Sequence, residues 1–68
     1  MPRMNQTFFA LSLDSTRPAA VAEIKAAYQV LGSLELVARR FDMHWRTLYR
    51  WADRWPEVAA ALEIERVR

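Results

Sequence analysis

Apolar residues recur along this chain with spacings that change from segment to segment, and the changes mark out the elements. In the first segment Phe9, Leu11 and Leu13 alternate at period two, which predicts a short strand or extended arm over 7–13. No second strand candidate exists to pair with it. Its backbone groups would need the same segment of a second subunit across a two-fold axis, or the surface of the helices. Asp14-Ser15-Thr16 then offer cap side chains, and Pro18 is tolerated in a first helical turn. Val21, Ile24, Tyr28 and Leu31 follow at i, i+3, i+7 and i+10 and predict a first helix over 18–31.

Gly32 sits where a left-handed residue stops a helix, and Ser33 can cap the next one. Leu34, Val37, Ala38 and Phe41 predict a short second helix over 34–41; Leu48, Trp51, Ala52 and Trp55 predict a third over 45–55. Pro56 closes the third, because a residue before proline is pushed out of the α region. With Glu57 it opens a fourth over 57–67. That helix carries two apolar stripes: Val58, Ala61 and Leu62 on one, Ala60, Ile64 and Val67 on the other. One stripe suits the subunit core and the other a partner, with small residues from Ala59 to Ala61 allowing close approach.

The expected fold is therefore all-α, a single domain of about four helices with an N-terminal strand or arm. It is expected to form a homodimer through Phe9, Leu11, Leu13, Ala60, Ile64 and Val67. Composition strengthens that expectation. The chain has 68 residues, 53% of them hydrophobic, and no cysteine. A domain near this size buries only about 60% of the surface its unfolded chain exposes. Without disulfides or a thiolate zinc site, oligomerisation is the usual remedy. No apolar run is long enough to span a membrane, and no basic segment leads into an apolar one, so a cytoplasmic protein without a membrane partner is expected.

The stretch from Leu34 to Asp53 has the most specific pattern. A helix-turn-helix needs a small residue facing the partner helix, apolar residues at set offsets, and a turn that tolerates positive φ. Ala38 supplies the small contact, Val37 and Phe41 the apolar positions before the turn, and Met43 its close. Leu48 and Trp51 anchor the helix that follows. Asp42 stands where Gly is usual, and Asp enters left-handed backbone more readily than most residues.

Charge is +2 overall and unevenly spread. Residues 39–54 hold Arg39, Arg40, Arg46, Arg50 and Arg54 against Asp42 and Asp53, while the chain before them is balanced and the chain after them slightly acidic. Such a stretch is either a solvated face or a contact for a polyanion. The start and outer face of the third helix hold His44, Trp45, Arg46, Tyr49, Arg50 and Asp53, the candidate partner-binding residues. Arg46 and Arg50 suit phosphate or guanine, and Tyr49 can bond a phosphate. Trp45 has one donor and no acceptor and is too bulky for the direct base readout that Arg, Asn and Gln perform. At about 100° per residue it lies roughly 70° from the centre of the buried face. It is thus either a flank of the core or an exposed anchor of the kind enriched at protein–protein hot spots.

Neither catalysis nor a cofactor is expected. His44 is the only histidine and lacks the Cys or spaced carboxylates of a metal site. No serine has a base and an orienting group, and no glycine-rich phosphate loop is present.

Gly32 with Val37-Ala38-Arg39-Arg40-Phe41 and Arg46-Thr47-Leu48-Tyr49-Arg50 resembles the helix-turn-helix of the factor-for-inversion-stimulation family and related phage proteins, small terminase subunits among them. The resemblance covers residues 32–55; the run from Trp51 to Leu62 is also terminase-like. It implies a helix-turn-helix scaffold in a bacterial or phage setting. More loosely, the size, helical build and aromatic on the third helix resemble small phage-encoded anti-activators of host quorum-sensing regulators. That likeness implies a host transcription activator as partner, met in the host cytoplasm through helix three. The expected function is accordingly a small phage-type regulator that binds and inhibits a host protein. The alternative is a sequence-specific DNA-binding regulator that uses the same helix for recognition.

Overall fold

The computed structural model describes residues 3–64, with side chains from Gln6 onward. Helices run over α1 (Arg3–Ser12), α2 (Arg17–Leu31), α3 (Leu34–Arg40), α4 (Trp45–Arg54) and α5 (Pro56–Ala61). The sequence's first, second, third and fourth helices are thus α2, α3, α4 and α5. No strand occurs among the described residues.

The strand or arm expected over 7–13 is corrected to a helix, α1. A lone extended segment leaves its N–H and C=O groups unpaired, whereas a helix pairs them internally. Thr7, Phe8 and Leu11 lie on one face of α1, and that face is the one used. Leu11 is 0% exposed, so its assignment to a dimer interface is also corrected: it is a core residue of its own chain. The end of α1 is tied down by the residues that follow. The Thr16 hydroxyl donates to the Ala10 carbonyl at 2.6 Å, and Arg17 Nε donates to the Leu11 carbonyl at 2.6 Å. Thr16 is therefore spent on α1, and α2 starts without a side-chain cap.

Local stop and start signals hold at the other junctions. Gly32 has φ 70° and donates its N–H to the Tyr28 carbonyl, ending α2. The Ser33 hydroxyl accepts from Leu36 N–H at 3.5 Å, and His44 Nδ1 accepts from Arg46 N–H at 3.1 Å. Trp55, before Pro56, is extended at φ −124° and ψ 106°, which separates α4 from α5.

Two helices end in the same way. After α3, Asp42 takes φ 57°; its N–H donates to Arg39 C=O, and the Met43 N–H reaches back to Ala38 C=O. After α5, Glu63 takes φ 55°, with Glu63 N–H on Ala60 C=O and Ile64 N–H on Ala59 C=O. Both are Schellman ends, in which the left-handed residue reverses the chain and the next apolar side chain folds back. Met43 and Ile64 accordingly pack against the core. The fourth helix expected over 57–67 is thus corrected: α5 stops at Ala61. The partner stripe does not form as one surface, because Ile64 serves the core while Ala60 stays exposed. Val67 lies outside the described residues.

α2 is the centre of the bundle, in contact with α1, α3 and α5, while α4 packs on α3 and α5. The core holds Leu11, Ile24, Val37, Phe41, Leu48, Trp51, Trp55, Val58 and Leu62. One polar frame surrounds Trp55. The Arg17 and Arg54 guanidinium carbons lie 6.0 and 5.0 Å from its ring centre, and Phe8 meets it edge-on at 5.9 Å. Arg54 also lies over Phe8, so this arginine of the basic stretch covers the buried Trp55 and the Phe8 ring beside it.

Candidate functional site

Ala38 of α3 is 1% exposed, α3 packs on α4, and Phe41, Leu48 and the partly buried Met43 belong to the same core cluster. Leu48, Trp51 and Ala52 turn inward from α4 and Trp55 continues that face. The opposite face of α4 is therefore fixed outward by packing.

All six expected partner-binding residues are exposed: His44, Trp45, Arg46, Tyr49, Arg50 and Asp53. By helical phase Arg46, Arg50 and Asp53 centre the outward face, Trp45 and Tyr49 form one flank, and Arg54 forms the other. Neither Arg46 nor Arg50 has an ion pair among the described residues, where Arg17 with Asp14 is the pair present.

Trp45 is 39% exposed and Tyr49 43% exposed, and neither belongs to the core. Their rings meet at 83° with centres 5.7 Å apart. The His44 ring lies 5.3 Å from the indole, and the Arg46 guanidinium carbon stands 5.6 Å from its centre. His44, Trp45, Arg46 and Tyr49 are thus one connected surface cluster. Because His44 Nδ1 accepts the cap bond, the neutral ring carries its proton on Nε2.

Beside this flank lies an open hollow lined by Ser33, Leu34 and Glu35 of the α3 start together with Trp45 and Tyr49. No periodicity marks Ser33, Leu34 or Glu35 as neighbours of the site, since their nearness to Trp45 depends on how α3 crosses α4. Arg40 points elsewhere and lines a hollow with Ala26, Val30 and Leu31 of α2. The basic stretch is therefore divided in space: Arg46 and Arg50 on α4, Arg40 toward α2, and Arg54 on Phe8 and Trp55.

Among the described residues no group of His, Cys, Asp and Glu is gathered to hold a metal ion, and no helix is long and apolar enough to cross a membrane. No protein-family model, no curated protein and no solved structure matches this chain.

Proposed function

We propose that this protein is a small helix-turn-helix regulator that binds double-stranded DNA, with α4 as the helix that enters the major groove. The pair Arg46 and Arg50 carries the reading. They stand one turn apart at the centre of the outward face of α4, exposed and without an ion pair among the described residues. Like charges at i, i+4 weaken a helix by about 0.2–0.5 kcal/mol, a penalty that a bound polyanion removes. The tight turn at Asp42 and the small contact at Ala38 support it, since they hold α4 on α3 with that face clear. Binding to labelled duplex DNA should weaken steeply as salt rises, and Arg46→Ala or Arg50→Ala should each flatten the salt slope by about one. Absent or salt-independent binding would overturn the reading.

A second reading keeps the scaffold and docks α4 on a host protein, a transcription activator that the contact would inhibit. Trp45 favours it. The residue is outside the core and forms with Tyr49 and Arg46 the three side-chain types enriched at hot spots. Under this reading Trp45→Ala should cost more than about 2 kcal/mol in affinity, with the arginines secondary. DNA binding reverses that order.

Self-association remains part of the proposal on narrower ground. Phe9 on the outer side of α1 is 70% exposed, and Leu13, just past the end of that helix, is exposed as well. Helix-turn-helix proteins that read paired half-sites do so as dimers. Light scattering at increasing concentration tests it, and a monomer throughout would remove the dimer.

A further inference from the structure

We infer that α4 selects thymine-containing duplexes, the Trp45–Tyr49 pair packing against thymine 5-methyl groups in the major groove beside the contacts made by Arg46 and Arg50. The inference rests on the DNA-binding reading above. Against DNA, an exposed aromatic pair on such a helix has two physical uses. A bare ring face stacks on an unpaired base, as in single-strand binders. A ring edge packs on an apolar group, and the apolar group that a base pair offers in the major groove is the thymine methyl.

The neighbours of Trp45 decide between these uses. His44 lies against the indole at 5.3 Å with a 34° tilt, the Arg46 guanidinium stands over it at 5.6 Å, and Tyr49 meets it nearly perpendicular at 5.7 Å. With three neighbours already set around it, the indole is poorly placed to take an unpaired base onto its face. Apolar edge contact is the use left to it. Trp45 and Tyr49 sit one turn apart on one flank of α4, with Arg46 and Arg50 one turn apart beside them. That register sets apolar and guanidinium contacts side by side along the groove. Arginine pairs best with guanine, so a site holding guanine next to thymine fits both.

The test is a selection followed by removal of the thymine methyl groups. The full chain enriches duplexes from a random-sequence pool, and the enriched pool is remade with deoxyuridine in place of thymidine. Affinity should fall about fourfold for each methyl buried, the factor expected for one CH2-sized apolar group. Trp45→Ala and Tyr49→Ala, checked for unchanged melting, should bind both pools alike. Arg50→Ala should weaken binding to both pools and keep the preference between them. Equal affinity of the unaltered protein for the two pools overturns the inference while DNA binding stands. So does tighter binding to the single-stranded pool, or a preference that survives in both aromatic variants. Failure to enrich any duplex overturns the DNA-binding reading and the inference with it.

Discussion

The Met43 amide donates to the Ala38 carbonyl at 2.9 Å, closing the turn between α3 and α4 across a left-handed Asp42. That bond joins the small contact residue of one helix to the residue that begins the approach to the next. It sets where α4 starts, and so which of its residues face outward.

Asp42 holds a backbone conformation that costs an L-residue roughly 1–2 kcal/mol, less for Asp than for most. Asp42→Gly should therefore stabilise the protein by up to about 1 kcal/mol, and Asp42→Val should destabilise it. Thermal melting checks the order, with a shift of roughly 4–8 °C per kcal/mol in a domain of this size.

Ala38 has no room to grow. Replacing it with Leu should overpack the junction with Leu48 and cost about 1–3 kcal/mol in urea denaturation. An unchanged midpoint would show that α3 and α4 do not meet at this residue.

Of the three tryptophans, Trp45 is exposed while Trp51 and Trp55 are buried. Acrylamide should quench one class of emission readily, and Trp45→Phe should remove that class. The same variant should melt within about 0.5 kcal/mol of the unaltered protein, as surface changes usually do. A large loss of stability would place Trp45 in the core.

Phe8 is the side chain through which α1 reaches α4 and Trp55, with ring centres 6.4 Å from Trp51 and 5.9 Å from Trp55. Aromatic pairs of this kind add about 0.5–1.5 kcal/mol each beyond area burial. Phe8→Ala should accordingly destabilise the whole fold, whereas Phe9→Ser and Leu13→Ser should leave melting nearly unchanged. Any effect of the latter two should appear in light scattering, as a loss of self-association.

Junctions governed by local chemistry are legible in the amino-acid order alone. Gly32 ends α2, Ser33 caps α3, and Trp55 leaves the helical region ahead of Pro56. Each of these depends on a few bonded neighbours. The inward face of α4 is legible too, because Leu48, Trp51, Ala52 and Trp55 share one phase of a 3.6-residue repeat. From that face the outward set of Arg46, Arg50 and Asp53 follows directly.

The segment that forms α1 is not legible in the same way. Three apolar residues at period two fit a strand, while Phe8 and Leu11 at i, i+3 fit a helix equally well. The choice turns on contacts far along the chain: Leu11 in the core, Phe8 on Trp51 and Trp55, and Arg17 bonded to the Leu11 carbonyl. The end of α5 likewise depends on Ile64 folding back onto the core, a gain strong enough to hold Glu63 at positive φ.

Short-range sterics and helical phase settle the helical punctuation, the apolar side of α4 and the arginines at the centre of its open side, and all of these can be read in the order of the amino acids. Tertiary structure decided that the first segment is helical, that α5 is short, and that Arg54 and Arg40 leave the α4 face to Arg46 and Arg50. It also decided that Trp45 stands outside the core among His44, Arg46 and Tyr49. Those outcomes depend on which apolar surfaces find one another across the bundle, and burial free energy is summed over contacts that no local spacing encodes.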